Sequence, residues 1–141
     1  MTTIFSRIIA GELPGRFVWR DPRCVGFLSI NPLGPGHTLV VPVAEVDQWT
    51  DLEPDLAAHL MVVAHAIGAV QRDVFAPERV GLIIAGYEID HCHIHVIPTW
   101  SMADLDFSHA QTDPDAAGLD EAASQLRAGL AAAGHGEVTD T

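Results

Sequence analysis

The sequence predicts an α+β fold, and three observations lead there. Short apolar runs bounded by turn residues follow one another in hairpin-like order. One long amphipathic helix is inserted among them. No strand is followed by the GxGxxG or GxxxxGK[ST] loop that marks many parallel α/β sheets.

The elements are read in chain order. Residues 3–10 form a short helix with Ile4, Phe5, Ile8 and Ile9 facing inward, stopped by Gly11 and Pro14. Phe17 to Trp19 and Cys24 to Leu28 make a hairpin across Asp21-Pro22-Arg23, a type I turn signature. Asn31 to Gly36 is a loop by composition, and His37 to Pro42 is a buried strand. Thr50-Asp51-Leu52-Glu53 reads as a capping box, with Pro54 tolerated in the first turn. Behind it Leu52, Leu56, Leu60, Val63, Ile67, Val70 and Val74 recur at steps of four and three, the stripe of a long helix. His59 and His65 lie on that helix as surface or boundary residues. Val80 to Ala85 is a second buried strand, Gly86 a turn, and Ile89 to Ile97 a third strand ended by Pro98. Residues 101–118 connect it to a final helix over about Asp120 to Ala133, with Leu119, Leu126 and Leu130 on one face.

The 141 residues suit one domain, 1–133, with the tail 134–141 expected to fray. The formal net charge is -12, and the seven basic residues are all arginines. No basic stripe is present for nucleic acid or an anionic membrane, and no apolar run spans a bilayer. The opening residues lack a signal peptide, and Cys24 and Cys92 suit buried structural thiols, so a cytoplasmic protein is expected. A small phosphorylated ligand stays compatible with the acidity, because its site can be locally positive.

The chemistry lies in His91-Cys92-His93-Ile94-His95. On a strand, alternate residues share a face, so the three imidazoles line up opposite Cys92, Ile94 and Val96. Neighbouring histidines would be about 6.6 Å apart along the backbone and the outer two about 13 Å. A zinc site could use His91 and His93, but a third histidine at i+4 reaches the same ion poorly. Nucleophilic catalysis on phosphorus fits better. A neutral imidazole attacks through one nitrogen, an acceptor holds the other, and its neighbours donate to phosphoryl oxygens.

This run resembles the motif of the histidine-triad (HIT) family of nucleotide hydrolases and transferases, alternating histidine and apolar residues through Val96 and Ile97. Three further stretches are similar to family segments: Ile4 to Pro14, Asn31 to Pro42, and Ala85-Gly86-Tyr87-Glu88 before the triad. The resemblance runs in register over about residues 3–100. It implies an antiparallel sheet of about five strands with one long and one short helix, usually in a homodimer whose sheets join.

It also implies roles. His93 would attack the α-phosphate and form a nucleotidyl-histidine intermediate. His95 would contact phosphate and assist proton movement, His37 would join the network, and His91 would hold the nucleophile through its backbone carbonyl. Ile4, Phe5, Ile8, Leu13, Phe27 and Ile30 would line the base and ribose cleft, with Ser29, Tyr87 and Glu88 at its polar parts. Ser29 stands where the family often has a ribose-binding aspartate, and Tyr87 where glutamine is common. Some members hold a structural zinc at positions that match Thr3, Ser6, Glu45 and His91 here. With three of those ligands replaced, no metal and no cofactor is expected, and the N-terminus should be held by packing alone. The implied substrate is a purine nucleoside phosphoramidate. The alternatives are a dinucleoside polyphosphate or a nucleotide-binding module with weak catalysis.

Overall fold

The computed structural model describes residues 2–141. Its elements are α1 (Ile4–Ile9), β1 (Phe17–Arg20), β2 (Cys24–Leu28), β3 (Thr38–Pro42), α2 (Pro54–Phe75), β4 (Arg79–Ile83), β5 (Ile94–Thr99) and α3 (Ala116–Ala132). Short 3₁₀ turns lie at Trp49–Asp51, Met102–Leu105 and Phe107–His109. The strands form one sheet in the order β1-β2-β3-β5-β4, and every neighbouring pair is antiparallel. The α+β class and the five strands therefore stand, as do the short opening helix and the long central one.

The two sides of the sheet are covered differently. On one side, Leu60, Val63, Ile67 and Val70 of α2 and Leu126 and Leu130 of α3 pack on Val18, Val40, Ile94 and Val96. Deleting one such fully buried side chain to alanine costs about 2–5 kcal/mol. On the other side, Phe5, Phe17, Val25, Phe27, Leu39 and Val41 form a smaller cluster under Ile8 and Ile9 of α1. The hairpin turn is fastened by Asp21, whose carboxylate accepts from the backbone of Arg23 and Cys24 and from Trp19 Nε1, with His59 Nε2 at 2.7 Å. Burial alone would raise the Asp21 carboxyl, but these donors outweigh it and hold it at about 2.

Five sequence expectations need correction. The capping box at Thr50 does not form: α2 starts at Pro54, and Glu53 is an N-cap that makes no side-chain cap bond. The reason is local, since a residue before proline is driven out of the α region, and Glu53 sits at φ -57, ψ 137. β4 is an edge strand, with Leu82 40% exposed, rather than a buried one. The third predicted strand begins at Ile94, not Ile89, because the preceding amides bond elsewhere, His91 to the Ile89 carbonyl and Cys92 to the Val46 carbonyl. It also runs through Pro98, opposite Val80, where pairing with β3 has already ended at Thr38↔Val96. The tail is docked instead of frayed: Arg20 N donates to the Glu137 carbonyl at 3.0 Å, and Val138 packs on the core. The last helix starts four residues earlier than expected, at Ala116.

Candidate functional site

A cavity of about 650 Å³ opens on the α1 side of the sheet. His37, His93 and His95 line it, together with Ile4, Phe5, Ile8, Leu13, Phe27, Ser29, Ile30 and Glu88. His91 is not in the wall; it is fully buried behind His93. Tyr87 is not in the wall either. Its side chain is 99% exposed and points away from the residues that line the cavity. The loop 101–118 supplies wall residues that sequence reasoning missed: Phe107, Ser108, Ala110 and Thr112. The one available signal was Phe107, the single aromatic residue in that polar stretch.

The four histidines are buried, at 7% exposure or less, not a row on an open strand face. His95 lies on β5 opposite Leu39 and Ile83, which turns it to the α1 side, while Ile94 and Val96 enter the core under α2. His37 is set by the loop before β3. Gly36 adopts φ +70, a conformation that side chains rarely take, and a Cβ there would strike the Phe75 ring. The Gly36 carbonyl accepts from Thr38 Oγ1 at 2.7 Å and from Gln71 Nε2 at 2.9 Å. Gln71 Nε2 also reaches the Val96 carbonyl at 2.9 Å, so one buried amide ties the approach to His37 to the strand carrying His95.

For neutral rings, the hydrogen-bond partners assign one tautomer to each of the four histidines. Leu33 N donates to His37 Nδ1 at 3.0 Å, so His37 carries its proton on Nε2. That Nε2–H donates to His95 Nδ1 at 2.9 Å, which leaves His95 with a free Nε2–H. His93 Nδ1 lies 2.9 Å from the His91 carbonyl, an acceptor, so Nδ1 holds the proton and Nε2 presents a lone pair. His91 Nε2 lies 2.7 Å from the Pro42 carbonyl and must donate, so its Nδ1 accepts from Thr3 Oγ1 at 2.7 Å.

Electrostatics favour the neutral forms of His37, His93 and His95. Burial first, and the neighbouring His93 second, lower His37 to about 4. Burial, then His93 and His37, lower His95 to about 3. His93 is lowered by burial too, but the bond to the His91 carbonyl and the nearby Glu88 oppose the shift. Aromatic edges complete the packing. Phe5 meets His93 at 4.9 Å between ring centres, and Phe107 meets His95 at 4.8 Å. Chemically, the cavity offers one imidazole lone pair beside one imidazole N–H, with the two rings 4.7 Å apart. That pairing suits attack on a tetrahedral phosphorus whose oxygens need a donor.

The expectation of an N-terminus held by packing alone is also corrected. Thr3 caps α1 through Ser6 N at 3.1 Å, its own amide donates to Glu45 Oε1 at 2.9 Å, and its hydroxyl meets His91.

A family description, the HIT domain, matches residues 10–102. An uncharacterized HIT-like protein of Methanocaldococcus jannaschii is 32% identical over 107 residues, 69% of this chain and 78% of that protein. The protein hit of Bacillus subtilis is 31% identical over 106 residues, 72% of this chain and 73% of that protein. Among solved structures, a zinc-bound histidine triad family protein from Mycobacterium smegmatis superposes with a TM-score of 0.81 at 29% identity, covering 94% of this chain and 96% of that one. A hypothetical histidine triad nucleotide-binding protein from Sulfolobus tokodaii gives 0.79 at 26% identity, covering 91% of each chain.

The positions that would hold zinc by resemblance do not fit it here. Thr3 and Ser6 offer neutral hydroxyls, and the free nitrogen of His91 is already taken by Thr3 Oγ1. Zinc prefers thiolate, imidazole and carboxylate, of which this group supplies one imidazole and one carboxylate. The matched family description, the relatives and the shared architecture carry one conclusion: this chain belongs to the HIT family.

Proposed function

We propose that the protein hydrolyses nucleotides at the α-phosphate through a covalent nucleotidyl-histidine on His93, with purine nucleoside phosphoramidates as preferred substrates. The observation that carries this reading is the unpaired lone pair of His93 Nε2, held by the bond from Nδ1 to the His91 carbonyl and set beside the free N–H of His95.

In the first half-reaction, His93 Nε2 forms a bond to phosphorus and the P–N bond to the amine breaks. The amine takes a proton from solvent at the cavity mouth. The His93 ring becomes cationic, and the His91 carbonyl on its Nδ1–H stabilises that charge. His95 Nε2–H donates to a phosphoryl oxygen, which stabilises the transition state. In the second half, water attacks phosphorus, the P–Nε2 bond breaks to leave the ring neutral, and the attacking water gives one proton to solvent, which balances the one that left on the amine. The sum is phosphoramidate plus water giving nucleoside monophosphate plus amine.

The apolar wall of Ile4, Phe5, Ile8, Leu13, Phe27 and Ile30 supports a flat base in the cavity, with Ser29 near the ribose. No arginine lines the cavity and the chain has no lysine, which favours a singly charged α-phosphate over a polyphosphate tail. Residues 1–133 are proposed as the HIT-like domain. A homodimer is proposed as well, supported by the open edge of β4 and by the exposed apolar side chains Trp49, Met61, Val62, Leu82 and Ile84. Its test is the solution mass. No helix among the described residues is long and apolar enough to cross a membrane. A cytoplasmic site of action is proposed alongside, in keeping with the two free cysteines.

The test of function is a time course with adenosine 5′-phosphoramidate, comparing wild type with His93→Ala. Release of AMP by the wild type alone is the expected result. No release by either, with dinucleoside polyphosphates also untouched, overturns the reading.

A further inference from the structure

We infer that the Thr3 hydroxyl is a positioning group for the nucleophile, and that Thr3, Ser6 and Glu45 form a metal-free latch joining α1 to the buried pair His91 and His93. The role in turnover rests on the function proposed above; the latch itself does not.

His91 is fully buried and has two ring nitrogens to satisfy. Its Nε2 faces the Pro42 carbonyl, which can only accept, so the ring proton sits there. The remaining lone pair on Nδ1 needs a donor, and Thr3 Oγ1 stands 2.7 Å away. The same oxygen accepts from Ser6 N, and a hydroxyl has one proton and two lone pairs. With the ring neutral, the Thr3 proton goes to His91 Nδ1 at 2.7 Å in preference to its other acceptor, Ser6 Oγ at 3.4 Å. Glu45 takes the Thr3 amide at 2.9 Å, and its carboxyl is lowered first by the Ser6 side chain and then by that amide.

His91 is thus pinned at one nitrogen to β3 and at the other to α1. Its backbone carbonyl is the acceptor for His93 Nδ1–H, so the ring that is pinned fixes the group that orients the nucleophile. Phe5, two residues past Thr3, lays its ring against both histidines, at 5.8 and 4.9 Å between centres. Ile4, Phe5 and Ile8 of the same helix line the cavity. A displacement of α1 would therefore move the substrate wall and loosen the nucleophile together. The sites that would carry zinc by resemblance are occupied by a hydrogen-bond network that replaces a metal staple with one hydroxyl proton.

The test compares Thr3→Val, Thr3→Ser and Thr3→Asp. Valine keeps the shape but removes donor and cap, serine restores both, and aspartate keeps the cap without a proton to give. Nitrogen-15 NMR of the histidine rings, recorded without substrate, reads the His91 tautomer directly. Wild type and Thr3→Ser should show His91 protonated on Nε2 alone. Thr3→Asp, which has no proton to give, should move the His91 ring signals away from the wild-type pattern. With adenosine 5′-phosphoramidate, kcat of Thr3→Val should fall about tenfold, the scale of losing an outer hydrogen-bond partner, and Thr3→Ser should recover it. Unchanged His91 signals in both Thr3→Val and Thr3→Asp would overturn the latch whether or not the protein turns this substrate over. Changed His91 signals with wild-type kcat in Thr3→Val would overturn the positioning role.

Discussion

Two hydrogen-bonded arms meet in the cavity, and they end in opposite chemistry. One runs from Thr3 through the His91 side chain and carbonyl to His93, and ends in a lone pair. The other runs from Leu33 N through His37 to His95, and ends in an N–H. The same residue type does both jobs, because the partner of the inner nitrogen decides what the outer nitrogen offers. A carbonyl on Nδ1 makes a nucleophile; a donor on Nδ1 makes a donor at Nε2. Charge separates the arms as well. His37 and His95 are pushed down to about 4 and about 3, whereas Glu88 and the His91 carbonyl work against the fall at His93.

Removing the end of the first arm should have the largest effect. His93→Ala should lower kcat by about a thousandfold or more, since no other group in the cavity presents that lone pair. Because His93 is buried, the variant should also lose stability, by about 2 kcal/mol on the scale of buried truncations, readable from urea midpoints. Cutting the second arm at its root should cost less. His37→Ala leaves Leu33 N without its acceptor and releases His95 to either tautomer, so kcat should fall about a hundredfold with the nucleophile still present. An equal loss from both variants would mean that the arms act as one unit.

Acid should break the second arm before the fold is lost. Both folded values lie below the ordinary histidine value of 6.5, so between 6.5 and about 4 the unfolded chain binds protons that the folded chain refuses. Stability is therefore full above about pH 7 and falls as pH drops, on the order of 2 kcal/mol for each of the two rings between pH 7 and pH 5. Urea denaturation at those two pH values checks it; a flat or rising stability toward pH 5 would contradict the burial of neutral rings. The smallest effect belongs to Tyr87. At 99% exposure, Tyr87→Ala should leave KM and kcat within about twofold of wild type.

The arms were unequally legible in the sequence. His93 and His95 were readable because alternation places them together and opposite Ile94 and Val96. His37 followed from the loop-to-strand segment that precedes Leu39. The burial of the rings was not readable, since it depends on α1 and the 3₁₀ turn at Phe107 folding over the sheet from distant parts of the chain. Nor was the Thr3 contact to His91, which joins residues 88 positions apart through one hydroxyl. Tyr87 came from the resemblance alone, and on the stretch between β4 and β5 its side chain stands outside the cavity wall. Helix starts moved where proline, at position 54, overruled a capping pattern.

The most direct test of the central claim is mass spectrometry of the protein quenched during turnover of adenosine 5′-phosphoramidate. A transient species heavier by one adenylyl group, mapped to His93 and absent from His93→Ala, is the predicted result. Steady turnover with no adduct on His93, or an adduct that forms equally in His93→Ala, would contradict it.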